Sequence, residues 1–294
     1  MFKDNAVTNG VAIVVITYNP DLAEFYVNLS SYISQVCKVF IVDNSTSEFA
    51  RRALVELAME DTRIELLQQT ENVGIARAQN VGIIKATAAG FKFVLEMDQD
   101  SSLPAEYVSS IVTSFNELVT KGAQVAGVGP LAVNASTDHV YDGLSRGEGL
   151  KQVEYTLSSG FLISTDVFSV VGVKREELFI DFVDWEWCWR AAEKGYKSFV
   201  DSKLEIGHML GEGHVKLLFW WVGKPSPIRH YYQYRNFIFL LRQAYVPAKW
   251  KLKYSLVFIV KLFVYIAFFD QKKLRLAYVL RGLKDACRGK MGPF

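Results

Sequence analysis

The sequence predicts an α/β fold with a mostly parallel sheet and helices on both of its faces. Two observations predict it: short β-branched apolar runs alternate with longer helix-like segments across residues 11–128, and polar residues follow directly on several of these runs. Alternation of this kind places consecutive strands side by side in a parallel sheet whose faces are covered by the connecting helices. Central strands of such a sheet are buried on both faces, so they are apolar throughout.

Five apolar runs are predicted to form strands, at residues 11–17, 39–42, 64–67, 91–97 and 125–128. Helices are predicted between them, at residues 48–59, 72–89 and 104–119. Asp21 can cap a further helix after the first strand, and Pro104 is a residue type favoured in the first turn of a helix.

Polar clusters follow three of these strands directly, at residues 17–19, 43–45 and 98–100. The carboxyl ends of parallel strands meet at one edge of the sheet, and ligands bind in the crevice beyond that edge. We therefore expect the three clusters to converge on a single binding site.

Asp98 and Asp100 are a pair of carboxylates separated by one residue. They would repel a diphosphate unless a hard cation lay between, and Mg²⁺ or Mn²⁺ takes one or two carboxylates together with phosphate oxygens. Such a metal acts as a Lewis acid on a departing phosphate. The alternative is an Asx turn with solvated carboxylates, but the position at the end of a buried strand favours the metal.

The segment from Asn72 to Asn80 opens a helix with small residues such as Gly74, where a ligand or a neighbouring backbone can approach closely. Arg77 lies one turn into this helix and could balance phosphate charge, together with the positive end of the helix dipole. A tightly packed helix with an exposed arginine is the alternative.

Residues 181–190 combine acids with three tryptophans. Asp184 lies where a helix should begin, so it is a candidate for the base that takes the proton of an acceptor hydroxyl, or alternatively an ordinary helix cap. Glu186 points in a different direction on a helix, and Trp185 could stack on a sugar. His208 follows in the stretch HMLGEGH, although a lone histidine is more often structural than a ligand.

Charge divides the chain in two. Residues 215–294 hold 16 Lys and Arg against two acids, a net charge of +14, whereas residues 1–214 hold 17 basic and 29 acidic residues, a net charge of −12. We expect a catalytic domain at 1–214 and a basic, aromatic helical region at 215–294 for membrane or acceptor association. Anionic membranes and nucleic acid both attract such a region. Three widely spaced cysteines and a polar N-terminus predict a reduced, cytoplasmic setting.

Residues 254–269 are almost wholly apolar and aromatic, with one interruption at Lys261. This run is shorter than the roughly 20 residues of a spanning helix, and the flanking Lys and Arg residues suit phosphate headgroups. We expect the region to lie on the inner leaflet in contact with anionic lipid. A packed helical cap or a homodimer interface is the alternative.

Together these motifs resemble family 2 of the inverting glycosyltransferases, which have the GT-A fold. The resemblance spans about residues 10–212 and is weaker through 229–236. Its motifs are VVITYNP (14–20), VDNS (42–45), ENVGIARAQNVG (71–82), EMDQD (96–100), LFIDFVDWEWCWRAAEKGY (178–196) and HMLG (208–211). Within the family, the chain is most similar to bacterial rhamnosyltransferases of cell-surface polysaccharide synthesis.

The resemblance implies a role for each matching residue. Asp43 would bond the pyrimidine base of the donor, and the other residues along the donor cleft would be Thr17, Asn19, Asn72, Gly74, Arg77, Asn80 and Asp98. The metal ligands would be Asp98, Asp100 and His208, and the catalytic base would be Asp184. The loop facing the acceptor would contain Ser159 and Gly160, and we place Trp185 and Glu186 beside it.

The activity implied is the inverting transfer of L-rhamnose from dTDP-β-L-rhamnose to a lipid-linked or oligosaccharide acceptor, as in O-antigen synthesis, at the cytoplasmic face of the bacterial inner membrane. Another donor, such as a UDP-hexose or UDP-galactofuranose, is the alternative, because no residue reads out rhamnose. A nucleotidyltransferase is disfavoured, since the first strand ends in TYNP rather than a glycine-rich phosphate signature. A non-catalytic sugar- or membrane-binding protein would not need Asp98, Asp100 and Asp184 together, and no nucleic acid partner is expected.

Overall fold

A computed structural model describes residues 10–134, 140, 144–208, 214–217 and 220–294, with the backbone alone at 134, 208, 214–217 and 220–223. Its strands are β1 (Val11–Thr17), β2 (Lys38–Asp43), β3 (Ile64–Gln68), β4 (Phe93–Asp98), β5 (Val125–Asn134), β6 (Leu150–Val153), β7 (Phe161–Ser164), β8 (Lys197–His208), β9 (His214–Leu217) and β10 (Trp220–Gly223). Its helices are α1 (Leu22–Ile33), α2 (Glu48–Glu60), α3 (Gly74–Ala88), α4 (Tyr107–Thr120), α5 (Thr165–Val171), α6 (Val183–Glu193), α7 (Arg229–Leu241), α8 (Ala248–Phe268) and α9 (Lys272–Cys287), with a 3₁₀ turn at Glu176–Leu178.

Eight strands form one sheet in the order β3-β2-β1-β4-β7-β5-β8-β6. The half built from β1 to β4 is parallel, as predicted. β7 enters between β4 and β5 and runs antiparallel to both, while β8 is parallel to β5 and antiparallel to β6. The α/β class is therefore confirmed, and the sheet is mixed rather than purely parallel. The sequence did not predict β7, because its apolar run, Phe161–Ile163, has only three residues.

Helices cover both faces of the sheet, as predicted, and β1 shows how. Its residues Val11, Ile13 and Val15 belong to one core, which contains side chains of α1 and α4. The alternate residues Ala12, Val14 and Ile16 belong to a second core, which contains side chains of α3 and α6. This period of two is the pleat of a strand buried on both sides. The polar strand ends of β1, β2 and β4 consequently lie together at one edge.

The helices of the basic region pack on the rest of the chain through an aromatic cluster. Its buried members are Trp189 of α6 and Tyr234, Phe237, Leu240, Val246, Trp250, Phe258 and Val279. The region is thus a packed helical cap on α6. None of the helices in the described part of the chain is long and apolar enough to cross a bilayer.

The outward face of α8 is apolar. Leu252, Leu256, Ile259 and Phe263 are 65–79% exposed, and their spacing of four, three and four residues places them in one stripe. Trp250, Phe258 and Tyr265 form the buried side of the same helix. The helix therefore presents apolar side chains on both sides, which is unusual for a helix on a water-exposed surface.

We predict that Gly282→Ala destabilises the protein. A Cβ atom at Gly282 of α9 would lie 2.4 Å from the backbone oxygen of Tyr231 in α7, so the two helices would have to separate. We expect a loss of about 1–3 kcal/mol in the free energy of unfolding, although Ala is intrinsically better than Gly in a helix by about 1 kcal/mol.

Denaturant unfolding measures this loss. Leu280→Ala, at an exposed position of the same helix, is the control and should change stability by no more than about 0.5 kcal/mol. Unchanged or increased stability of the Gly282 variant would mean that α7 and α9 are not in close contact.

Candidate active site

A cluster of buried polar side chains lies at the ends of β1 and β2. Thr17 and Asp43 are register partners, and the Thr17 hydroxyl donates a hydrogen bond to Asp43 Oδ1 at 2.9 Å. The backbone N–H of Ser45 donates to the same oxygen at 3.0 Å. Asp43 Oδ2 is also buried but has no partner among the described residues. A buried carboxylate oxygen without a donor is costly, and the N–H of a pyrimidine ring would satisfy it.

Asn19 lies next to this cluster of buried polar side chains. Its side-chain oxygen accepts hydrogen bonds from the backbone N–H groups of Thr46 and Ser47, at 3.0 and 2.9 Å, and its own N–H donates to Ser45 Oγ at 2.8 Å. Its φ angle is +43°, which Asn tolerates better than most residues. Asn19 thus ties the loop after β1 to the loop after β2.

Asn72 and Gly74 shape the start of α3. The Asn72 side chain accepts a hydrogen bond from the Gly74 N–H at 2.9 Å. Gly74 has a φ angle of +82°, and a Cβ atom there would lie 2.5 Å from the Phe179 ring. Glycine is therefore required at this position by its positive φ angle and by the close approach of Phe179, whose carbonyl oxygen would lie 2.7 Å from the same Cβ atom.

Arg77 and Asn80 contact residues 174–176, where the 3₁₀ turn begins. Arg77 is 3.9 Å from Glu176 and mostly exposed. Asn80 is buried, and its side chain exchanges two hydrogen bonds with the backbone of Lys174, at 2.8 and 2.9 Å. The Asn80 amide is thus used within the protein, and a contact of Asn80 with the donor stays a prediction. From the same helix, Ile75 and Gln79 line the cleft.

The cleft, of about 410 Å³, is lined by Asp98 at the end of β4 and Asp184 in the first turn of α6. Burial raises the pKa of Asp98 to about 7, with further contributions from the charges of Asp100, Asp184 and Glu96. Burial also raises the pKa of Asp184, against the attraction of Lys174. This concentration of carboxylates would stabilise a bound cation.

The backbone around Asp184 fixes the direction of its carboxylate. Oδ2 accepts a hydrogen bond from the Ser158 N–H at 3.2 Å, and Oδ1 accepts one from the Trp185 N–H at 3.0 Å. The helix begins at Val183 with Phe182 at the cap position, so Asp184 lies in the first turn and is not the N-cap residue. Its carboxylate lines the cleft, and its role as a base stays a prediction.

The turn that leads into α6 has an unusual backbone conformation. Phe179, Asp181 and Phe182 have φ angles of +65°, +68° and +67°, a region that costs a non-glycine residue about 1–3 kcal/mol. Arg229, the first residue of α7, holds the Asp181 carboxylate through Nε and Nη2 at 3.0–3.2 Å. Such strain persists only where the surroundings fix it, and it is typical of functional sites.

Two fully buried residues of α7 fix this turn. The Asn236 side-chain amide donates to the carbonyls of Leu178, Ile180 and Asp181 at 2.7–3.2 Å. Arg235 Nη2 donates to the carbonyl of Leu178 at 2.9 Å. The resemblance to family 2 is weak at residues 229–236 of the sequence. The hydrogen bonds by which these residues position Asp184 join residues that are about 50 positions apart in the chain.

Ser159 and Gly160, expected to face the acceptor, lie beneath the cleft. Ser159 is buried, and its hydroxyl accepts a hydrogen bond from the Asp98 N–H at 3.4 Å. The Gly160 N–H donates to the carbonyl of Glu96 at 2.8 Å. These two residues fasten the loop to β4, and Ser158 of the same loop lines the cleft. A contact of Ser159 and Gly160 with the acceptor stays a prediction.

Trp185 lines the cleft as expected, and it stacks on Tyr155 at 4.1 Å between ring centroids. Glu186 does not. It is fully buried and accepts hydrogen bonds from Arg175, Arg190 and Tyr245 at 2.7–3.1 Å. An acceptor contact for Glu186 is therefore wrong, since no oxygen of this carboxylate is accessible to a ligand.

A buried ion pair beside the cleft carries no sequence signal. Lys174 Nζ lies 3.0 Å from Glu96 Oε2, with both side chains at most 1% exposed. Lys174 also faces the Trp187 ring at 4.8 Å. Glu96 precedes Asp98 by two residues on β4 and so shares its face of the strand. Lys174 thereby offsets part of the negative charge beneath the cleft.

The predicted metal site is described only in part. Among the side chains that the structure describes, no three His, Cys, Asp or Glu residues form a complete metal site. The side chain of His208, the predicted third ligand, lies outside the described part of the chain. Asp98 and Asp100 nevertheless fit a hard cation, because two carboxylates can suffice when phosphate oxygens and water complete the coordination shell. Metal binding stays a prediction.

Known proteins resemble both the sequence and the fold. Residues 12–176 match the family described as Glycosyl transferase family 2. The chain is 31% identical over 247 residues to the dTDP-rhamnosyl transferase RfbF of Shigella flexneri, covering 80% of each protein. A crystal structure of S. aureus TarS 1-349 in complex with UDP-GlcNAc matches with a TM-score of 0.58 and 17% identity, over 95% of this chain and 80% of that one.

A longer crystal structure of S. aureus TarS matches with a TM-score of 0.56 and 17% identity. The alignment includes 88% of this chain but only 44% of that one. The TarS structures are too distant in sequence to show more than the fold. The family match, in contrast, covers more than half of the chain and includes β1, β2 and β4 with their polar ends. The chain therefore belongs to glycosyl transferase family 2 and is a glycosyltransferase with a GT-A-like fold.

Proposed function

We propose that the protein is an inverting glycosyltransferase that moves L-rhamnose from dTDP-β-L-rhamnose to an acceptor hydroxyl. One observation carries the proposal: Asp184 and Asp98 line one cleft, and at the end of β2 in the same sheet Asp43 Oδ2 is buried without a hydrogen-bond donor among the described residues. In this proposal the ring N–H of a pyrimidine nucleotide donates to Asp43 Oδ2, and the sugar extends to the two carboxylates. The relative RfbF, a dTDP-rhamnosyl transferase, supports rhamnose as the sugar.

In this mechanism Asp184 is the base. The acceptor hydroxyl attacks the anomeric carbon from the face opposite the nucleoside diphosphate, and Asp184 takes the hydroxyl proton as the new bond forms. The hydrogen bonds from the Ser158 and Trp185 N–H groups hold the carboxylate in one orientation. Burial raises its pKa, which makes it a better proton acceptor than a solvated aspartate. Displacement inverts the anomeric centre, so a β-linked donor gives an α-rhamnoside.

Asp98 and Asp100 hold the divalent cation, Mg²⁺ or Mn²⁺, in this proposal. When bound, the ion would supply positive charge that stabilises the departing diphosphate. The rise in the pKa of Asp98, which burial and the neighbouring Asp100, Asp184 and Glu96 cause, supports a cation here. His208 remains a candidate third ligand.

The acceptor is a lipid-linked or oligosaccharide glycan of cell-surface polysaccharide synthesis, and the protein acts as a peripheral protein at the cytoplasmic face of the inner membrane. The exposed apolar stripe on α8 supports this location, together with the charge of +14 on residues 215–294. Apolar side chains with surrounding basic residues are typical of surfaces that bind anionic membranes.

A UDP-hexose or UDP-galactofuranose is the second candidate donor. Asp43 Oδ2 offers an acceptor to the ring N–H that uracil and thymine share, so this contact does not distinguish the two bases. A screen of nucleotide sugars, with released nucleoside diphosphate as the readout, separates the two donors.

We predict that Asp184→Asn lowers turnover by about 10²–10⁴-fold, because the variant loses the proton acceptor while keeping the size of the side chain. Donor binding should change little, while thermal stability should fall modestly, because Asn has one acceptor oxygen for the two N–H groups that Asp184 satisfies. Asp166→Asn, an exposed acid in the first turn of α5, is the matched control and should keep normal turnover. Near-normal turnover of the Asp184 variant would exclude it as the base.

We predict that Asp100→Ala abolishes turnover and that Asp98→Ala is nearly as damaging, because the charge of the departing diphosphate would no longer be balanced. Turnover is measured against added MgCl₂ or MnCl₂ and in EDTA. Glu60→Gln, an exposed acid at the end of α2, serves as the control. Undiminished turnover of the wild type in EDTA would contradict the proposed metal.

We predict that the wild type co-sediments with anionic vesicles at low salt and is only partly released at high salt. Basic residues near such a membrane contribute about 1 kcal/mol each, and the apolar stripe adds a salt-insensitive contribution. Replacing Leu252, Leu256, Ile259 and Phe263 by Gln should remove that contribution while the fold is kept, since all four are exposed.

The matched control replaces four exposed apolar residues elsewhere, Val27, Phe49, Met59 and Ile84, by Gln. Equal loss in both quadruple variants would show that the effect is not specific to α8. A wild type that stays in the supernatant and forms a dimer, which the α8 variant converts to a monomer, would assign the stripe to a subunit interface.

A further inference from the structure

The wall of the cleft formed by the basic region carries three cations. Lys224 precedes α7, Arg229 begins it, and Lys261 lies in α8, and all three line the same cleft as Asp98 and Asp184. Arg229 is paired with Asp181, and Lys224 is paired with the exposed Asp270 at 3.0 Å.

Lys261 differs from the other two. No carboxylate among the described residues forms an ion pair with it. Its Nζ lies 5.8 Å from the centroid of the Phe258 ring. Burial lowers its pKa, and the nearby Arg229 acts in the same direction, while Asp181 opposes them. A half-buried ammonium in an apolar, aromatic wall is stabilised by an anion that enters the cleft.

Lys261 lines the cleft from a different element than the residues proposed to bind the donor. Asp43 and Asp98 end β2 and β4 and Asp100 follows β4, whereas Lys261 belongs to α8 and reaches the same cleft as Asp98 from the basic region. Its sequence neighbours Ile259 and Val260 are exposed and apolar. A ligand whose anionic group binds Lys261 could therefore carry an apolar chain that leaves the cleft along α8.

We infer that Lys261, with Arg229 beside it, forms a phosphate-binding subsite for the acceptor, and that the acceptor is a glycan joined through phosphate to an apolar chain. This inference rests on the proposed function, since it assigns the second substrate of the same cleft. The same phosphate chemistry could come from the donor diphosphate, so the test separates the two sources.

The test compares three probes by calorimetry, below the micelle concentration of the amphiphiles: decyl phosphate and the uncharged decyl glucoside in EDTA, and dTDP with MgCl₂. The wild type should bind decyl phosphate more tightly than decyl glucoside. Lys261→Gln should weaken the binding of decyl phosphate about tenfold, a change of about 1.4 kcal/mol, with a much smaller effect on dTDP. Lys261→Arg keeps the charge and should restore most of the affinity. Lys249→Gln, at an exposed lysine of the same helix, is the control.

Three outcomes would overturn the subsite. They are equal wild-type affinity for decyl phosphate and decyl glucoside, a Lys261→Gln variant that loses dTDP affinity but keeps decyl phosphate affinity, and an equal loss in the Lys249 control. The second outcome assigns Lys261 to the donor diphosphate. Turnover of nucleotide sugars is measured separately, so its absence would contradict the proposed function without touching the binding result.

Discussion

The site depends on the hydrogen bonds by which α7 holds the turn before α6. Asn236 and Arg235 are fully buried and direct their donors to the carbonyls of residues 177–181. Without them, a turn with three left-handed non-glycine residues would relax, and the start of α6 would move with it. Each buried donor that lost its partner would cost about 1–3 kcal/mol. The basic region is therefore part of the candidate active site, because its hydrogen bonds hold the turn from which Asp184 extends.

The second constraint is electrostatic. β4 places Glu96 and Asp98 on one face two residues apart, and α6 brings Asp184 to the same cleft. Lys174 pairs with Glu96 below this group, so part of the charge is compensated by the protein, while Asp98 and Asp184 remain directed at the cleft. Such a site is suited to a substrate that binds together with a cation and whose leaving group is negatively charged.

α8 links this chemistry to the surface. Its inner side packs Trp250 and Phe258 against the aromatic cluster on α6, its cleft side carries Lys261, and its outer side exposes the apolar stripe. A single helix thus contacts the core, the cleft and the surroundings of the protein. An acceptor anchored by an apolar chain could contact all of these surfaces except the core.

The α/β class, the helices on both faces and the convergence of the polar strand ends could be predicted from the sequence, because these features follow from short-range patterns. An apolar run such as Val11–Thr17 can satisfy its backbone only inside a sheet, and the residue after it must then lie at the sheet edge. The motifs likewise identified Asp43, Asp98 and Asp184, whose carboxylates the fold leaves unpaired or facing the cleft.

Which of the other polar residues are accessible to a ligand could not be predicted from the sequence and follows from the tertiary structure. Glu186 and Asn80 match motif positions as well as Asp184 does, but their side chains are used up by Arg175, Arg190, Tyr245 and the backbone of Lys174. β7, the Lys174–Glu96 pair and the hold of Asn236 on residues 178–181 likewise join parts of the chain that are distant in sequence. No local pattern specifies such pairs, because burial and hydrogen-bond partners are properties of the packed chain.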